Sequence, residues 1–131
     1  MKKIIVNGTF DILHRGHILL LNYAKSLGDH LLVAIDADKR VKELKGLSRP
    51  INTEDDRKFM LYSLKPVDSV LIFSSEEELI NIIKEYQPEI MVKGSDYKNK
   101  RIVGKDFCKE IVFYDHTGHS TTDIIHRITD R

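Results

Sequence analysis

The chain has almost no cysteine. Cys108 stands alone among 131 residues, so no internal disulfide can form and no thiolate cluster can hold zinc. A lone thiol suits a reducing compartment, and the cytoplasm is the expected location. Long apolar runs are missing too: stretches such as Ile18 to Leu21 are far short of a bilayer span. Lys2 and Lys3 lead straight into a strand-like segment, without the apolar stretch and cleavage site of a secretory signal. A soluble protein with no membrane partner is expected. Neither sign of charge dominates, with 21 Lys+Arg against 20 Asp+Glu, net +1, which argues against a general nucleic-acid binder. Internal repeats and low-complexity tracts are absent. A hydrophobic content of 41% over 131 residues supports one core and is too little for two ordinary domains, so residues 1–131 are expected to form a single domain.

What is present alternates between short apolar runs and longer helical patterns. Lys3 to Val6 is brief, β-branched and stopped by Asn7-Gly8, as befits a strand buried on both faces. Gly16 to Leu27 spreads apolar residues over a broad helical face, and Gly28 stands where a helix C-cap belongs. Leu31 to Ile35 is a second strand. A basic loop is expected from Asp38 to Pro50, where the proline forbids a helix running through. Thr53, followed by acidic Glu54, Asp55 and Asp56, caps a helix that stops before Pro66. Ser69 to Phe73 is a third strand. Ser74-Ser75 cap a helix with a stripe of Leu79, Ile80, Ile82 and Ile83, ended by Pro88. Ile90 to Val92 and Ile111 to Tyr114 complete the strands, and Ser120 caps a last helix containing Ile124, Ile125 and Ile128. The segment 98–107 reads as neither helix nor strand. Strands alternating with helices predict an α/β fold, a Rossmann-like doubly wound parallel sheet.

In such sheets ligands bind beyond the carboxyl ends of the strands. Four polar or glycine-bearing segments fall there: Asn7 to His17, Asp36 to Arg49, Lys93 to Tyr97 and Asp115 to Thr122. The first carries the strongest signal, Gly8-Thr9-Phe10-Asp11 followed by His14-Arg15-Gly16-His17. Gly16 lets a ligand approach the backbone where a helix begins, and that N-terminus favours anions. Two histidines could add directed donors to the same anion. A chance string, a metal pair or surface histidines would look the same, although no third His or Cys lies at a ligating spacing. His17 could equally be a half-buried cap of its helix. Lys42 and Lys45 could be solvated loop lysines, Ser120-Thr121-Thr122 only a cap, and Arg57 a surface residue paired with Asp55 or Asp56. His30, His116 and His126 read as surface residues, and Cys108 as inert.

The His-x-Gly-His string with Gly8-Thr9-Phe10-Asp11 resembles the cytidylyltransferase-like nucleotidyltransferases. The likeness extends through Lys42 to Pro50, Arg57, Val92-Lys93-Gly94-Ser95-Asp96-Tyr97 and Gly118-His119-Ser120-Thr121-Thr122. Within the family these phrases are most similar to the adenylyltransferase domains of ADP-heptose synthases. The Arg-Thr-Glu-Gly-Ile-Ser-Thr string of glycerol-3-phosphate cytidylyltransferases is not matched, since Asp115 to Thr121 has no arginine.

The resemblance implies transfer of a nucleotidyl group from a nucleoside triphosphate to a sugar phosphate, with pyrophosphate released and Mg²⁺ accompanying the triphosphate. It implies catalytic roles for His14, His17, Lys42 and Lys45. Gly8, Thr9, Phe10, His14, Gly16, His17, Lys93, Gly94, Asp96, Ser120, Thr121 and Thr122 would bind the nucleotide. Asp11, Asp36, Lys42, Lys45 and Arg57 would bind the acceptor, with Asp11 also a candidate for orienting Mg²⁺; no protein metal site is expected. ATP with heptose 1-phosphate is the leading pair. The alternatives are CTP with glycerol 3-phosphate, or a nucleotide-binding regulator without turnover. A homodimer is expected, and a sugar kinase, if the pathway needs one, as a separate protein.

Overall fold

The apolar runs become five parallel strands in a computed structural model that describes residues 1–115 and 120–130. They are β1 (Lys3–Gly8), β2 (His30–Asp36), β3 (Ser69–Phe73), β4 (Ile90–Gly94) and β5 (Glu110–Tyr114), in the spatial order β3-β2-β1-β4-β5. Alternate residues feed two cores. Ile4, Val6, Val33 and Ile35 face Leu21 and Ala24 of helix α1 (Arg15–Ser26) and Leu61 of α3 (Glu54–Tyr62). Ile5, Leu32, Ala34 and Met91 face Leu79 and Ile83 of α4 (Glu76–Tyr86). Each fully buried Val, Leu, Ile or Met side chain among these contributes about 1.5–3 kcal/mol. The expected doubly wound α/β sheet is therefore present, and no described helix is long and apolar enough to cross a membrane.

The chain leaves β1 towards the α1 face and leaves β4 towards the other, where Ile102, Val103 and Cys108 pack. Neighbouring strands whose connections depart to opposite faces open a crevice at their carboxyl ends. Here the opening is built into the ladder. Residues of β1 pair with β2 along its length, Lys3 with His30 through Gly8 with Ile35, whereas β1 pairs with β4 only at Ile4–Ile90 and Ile5–Met91.

Two expectations need correction. Asp38 to Lys45 is a helix, α2, rather than the first half of a loop. Its residues are mostly strong helix formers, but Val41 alone is buried, so an apolar period had nothing to register. The helix ends at Gly46 (φ +102°), and the chain then reaches Pro50 without helical structure. Gly28 is not the cap of α1, which closes on Leu27; a Cβ on Gly28 would lie 2.7 Å from the Lys2 carbonyl and 2.8 Å from the Ile4 side chain. Its smallness lets the α1–β2 turn approach β1. In α3, Phe59 and Met60 are exposed, and the buried positions are Leu61 and Arg57.

The caps at Thr53, Ser75 and Ser120 form as expected, each hydroxyl accepting a backbone N–H of the first turn. The last opens α5 (Thr121–Thr129). The undecided 98–107 segment contributes a short 3₁₀ turn at Lys105–Phe107.

Candidate active site

The turn from β1 into α1 is fastened by its own residues. Phe10 takes the left-handed backbone region (φ +52°) and is buried, its ring 5.0 Å from that of His17. Gly8 leaves room for that ring, since a Cβ there would stand 3.0 Å from it. His14 is the N-cap of α1, and its Nδ1 accepts the Gly16 N–H at 3.1 Å. The His14 N–H in turn donates to His17 Nδ1 at 3.3 Å, so the histidines form a reciprocal capping box. Their rings stack with centroids 3.8 Å apart. An Nδ1 that accepts carries no proton, so these bonds put the proton of each neutral ring on Nε2. Capping and donation thus fall to different nitrogens of the same rings.

Asp11 clamps this turn to the 46–52 segment. Its Oδ2 accepts Ile51 N–H at 2.7 Å, its Oδ1 accepts Asn52 N–H at 2.8 Å, and its carbonyl accepts Asn52 Nδ2 at 2.9 Å. Arg57 joins the parts from below. Its Nη1 donates to the carbonyls of Thr9 (2.9 Å) and Asp36 (2.8 Å), its Nε to that of Asn52, and its Nη2 to Asp38 Oδ1. Arg57 is 1% exposed, each of its nitrogens donates within the chain, and its ion pair is with Asp38 rather than Asp55 or Asp56. It is the tie beneath the site.

Above it lies a cavity of about 270 Å³. From the expected set it receives Thr9, Phe10, Asp11, His14, Gly16 and His17 of the first turn. Lys45 enters from α2, and Ser120, Thr121 and Thr122 from the start of α5. The Thr121 hydroxyl donates to the Ile12 carbonyl, which seats the α5 N-terminus against the histidine turn. Burial lowers the Lys45 pKa first, and the neighbouring Arg49 lowers it further, against the pull of Asp36 and Asp11.

The other expected residues lie outside this lining. Lys42 is exposed and donates to the Arg49 carbonyl, bracing the loop from outside. Asp36 is buried, accepting from Thr9 Oγ1 and Arg40 Nε. Lys93, on the strand face of Met91, is 9% exposed with its ammonium 4.6 Å from the centre of the Tyr97 ring. Burial lowers its pKa, and the Asp36 and Asp96 carboxylates raise it less. Gly8 and Gly94 end β1 and β4. His116, Thr117, Gly118 and His119 lie outside the described residues, and His126 is exposed on α5.

Arg49 was not among the expected site residues, yet it lines the cavity. The signal was present in Ser48-Arg49-Pro50, but an arginine in a basic loop looks solvated until the fold turns it inward. No group of three or more His, Cys, Asp or Glu among the described residues could hold a metal, and both nearby carboxylates already accept hydrogen bonds. A divalent cation would therefore depend on phosphate oxygens and water for most of its ligands. Backbone N–H groups at two helix starts, imidazole and hydroxyl donors and fixed cations around one cavity suit a polyphosphate.

Comparison with known proteins agrees. The cytidylyltransferase-like family matches residues 5–127. The bifunctional protein HldE of Campylobacter fetus subsp. fetus is 48% identical over 95% of this chain and 27% of its own length. That of a Nitratiruptor species is 50% identical over 97% of this chain and 28% of its own. The chain thus spans little more than a quarter of these relatives. A crystal structure of the lipopolysaccharide core biosynthesis protein from Thermoplasma volcanium superposes with a TM-score of 0.73 at 28% identity, covering 88% of this chain and 98% of that one. Fold, motif order and the match across nearly the whole sequence agree that this chain is a nucleotidyltransferase of the cytidylyltransferase-like family.

Proposed function

We propose that residues 1–131 act as one nucleotidyltransferase domain that joins ATP to heptose 1-phosphate, forming ADP-heptose and pyrophosphate. The observation that carries this reading is the shared cavity of the capped histidine pair, the α5 N-terminus and Lys45. The choice of ATP and heptose rests on the likeness of Val92 to Tyr97 and Ser120 to Ile125 to ADP-heptose synthase domains. It rests also on the identity with HldE proteins. A phosphate oxygen of the acceptor attacks the α-phosphorus, and the bond from that phosphorus to the β-phosphate bridging oxygen breaks. Pyrophosphate leaves with the electron pair. The attacking oxygen is already ionised, so no protein base is needed. Catalysis consists of alignment and of stabilising charge as it grows on the leaving group.

In this reading the Nε2–H groups of His14 and His17 donate to the α- and β-phosphates. Ser120, Thr121 and the first N–H groups of α5 hold the β- and γ-phosphates. Lys45 stands between the α-phosphate and the acceptor. Mg²⁺ enters with ATP as part of the substrate. The test is pyrophosphate release over ATP, CTP, GTP and UTP against sugar and polyol phosphates with Mg²⁺. Turnover with ATP and heptose 1-phosphate is expected. Turnover confined to CTP and glycerol 3-phosphate would reassign the substrates, and none with any pair would favour a nucleotide-binding regulator.

A further inference from the structure

Arg49 and Arg57 stand eight positions apart on either side of the Pro50 turn, and their guanidinium groups are in opposite conditions. Arg57 has an acceptor for every nitrogen. Arg49, with a side chain only 14% exposed, donates no hydrogen bond from its guanidinium among the described residues. Its Nε is sealed from solvent without an acceptor. Its charged neighbour is Asp11, with Oδ2 3.5 Å from Nε, and both oxygens of that carboxylate already accept backbone N–H groups. A guanidinium donor sealed from water without an acceptor is costly. Lys45 crowds the same wall, close enough that Arg49 lowers its pKa. Two like charges thus face one cavity, and the carboxylate beside them, Asp11, has both oxygens engaged by backbone N–H groups.

The backbone of Arg49 is fixed independently of any ligand. Its N–H donates to the Gly46 carbonyl at 3.2 Å, its carbonyl accepts from Lys42 at 3.3 Å, and Asp11 pins Ile51 and Asn52 just beyond. The guanidinium is thus presented, not merely tolerated.

The geometry points to Arg49 as the residue that, with Lys45, receives the phosphate of the acceptor; this rests on the sugar-phosphate reading above. Two anions must meet at this site, and they arrive differently equipped. The triphosphate brings a divalent cation and meets imidazoles, hydroxyls and helix N-termini, all able to donate without a full charge. The acceptor phosphate is a dianion with no cation of its own, and segment 45–49 supplies two full charges. A planar guanidinium grips such a group through two parallel hydrogen bonds and fixes which oxygen faces the α-phosphorus. It also offsets the repulsion that keeps two phosphates apart.

The test compares wild type with Arg49→Lys and Arg49→Ala, using whichever nucleotide and sugar phosphate the pyrophosphate assay selects. Acceptor KM should rise about 10- to 100-fold in Arg49→Ala, the usual scale for a lost charged hydrogen bond. ATP affinity, titrated directly with the acceptor omitted, should change less than about threefold on that scale. Arg49→Lys should recover part of the loss, and millimolar guanidinium should restore turnover to Arg49→Ala, which a purely structural role would not permit. An unchanged acceptor KM overturns the inference and leaves the reaction standing. An equal fall in ATP affinity overturns it in favour of triphosphate binding by Arg49. Absence of wild-type turnover with every sugar phosphate removes the underlying reading, and this inference with it.

Discussion

The β1–α1 turn and the segment 38–52 present side chains to the same cavity but are held by different means. The turn is fastened locally: His14 and His17 cap one helix with each other, and Phe10 packs on the ring beside them. The segment is fastened from afar, by Asp11 across 40 positions and by Arg57 beneath α2 and the turn together. A local device keeps its shape while its few residues are intact. A long-range device makes the cationic wall depend on buried groups that touch no substrate. Losses in the turn should therefore fall on turnover, and losses under the segment on stability as well.

The largest effect is expected at Arg57. Arg57→Met removes a fully buried guanidinium and leaves the carbonyls of Thr9 and Asp36 without their donor. Loss of one partner in such a network costs about 3–5 kcal/mol. Urea unfolding should show a much lower midpoint, and a change below about 1 kcal/mol would mean the wall is held some other way.

Next come the histidines, where stability and turnover separate. His14→Ala should lower kcat about 10²–10³-fold if Nε2 donates to growing charge. It should also cost about 1 kcal/mol for the lost cap, a few degrees in Tm for a chain of this size. His14→Asn keeps a capping acceptor, so Tm should recover while kcat does not. Recovery of both would leave His14 a cap alone.

Lys45 and Lys42 should differ. Lys45→Ala is expected to lower kcat/KM by about 10²-fold while ATP affinity changes little, because the ammonium acts chiefly as charge develops. Lys42→Ala should change kcat/KM less than about threefold, the scale of a weak exposed contact. With its pKa lowered by burial and by Arg49, Lys45 loses its proton at lower pH than an ordinary lysine. The alkaline limb of kcat/KM should move to higher pH in Arg49→Gln. Between the folded and unfolded pKa values of Lys45 the unfolded chain binds more protons. The lysine's contribution to stability therefore rises with pH there.

The smallest effect belongs to Cys108, whose thiol burial pushes up to about 11. Iodoacetamide at neutral pH should modify it slowly and leave turnover untouched. Fast alkylation with loss of activity would contradict this.

This contrast also marks where sequence reasoning worked. The histidine turn, the serine and threonine caps and all five strands rest on signals within a dozen residues, and each was legible. Helix α2 was hidden because it buries a single apolar residue. Arg57 read as an acceptor-binding residue or as a surface partner of Asp55 or Asp56, since nothing in its own helix announces carbonyls contributed by Thr9 and Asp36. Arg49 lay in a motif that was seen, but its inward direction depends on Asp11 and the Gly46 turn. Lys42 and Lys45 looked equivalent in spacing; both are exposed on the helix they share, and of the two Lys45 lines the cavity.

The sparse pairing of β1 with β4 makes the sheet a sutured object. Everything through β3 is one contiguous piece of chain, everything from α4 onward another, and between them the backbone ladder is nearly bare. What joins the pieces is chiefly the packing of Leu79, Ile83 and Met91 against Ile5, Leu32 and Ala34, with the Tyr86 hydroxyl donating to the carbonyls of Ile4 and His30 and that of Thr121 to Ile12. The histidines and the cationic wall belong to the first piece, and the α5 N-terminus to the second. A triphosphate lying between them would act as a clasp, adding about 2.7 kcal/mol at a hundredfold excess over its Kd. Two polypeptides divided near Ser74 should accordingly reassemble through that apolar seam, and more completely when nucleotide is supplied.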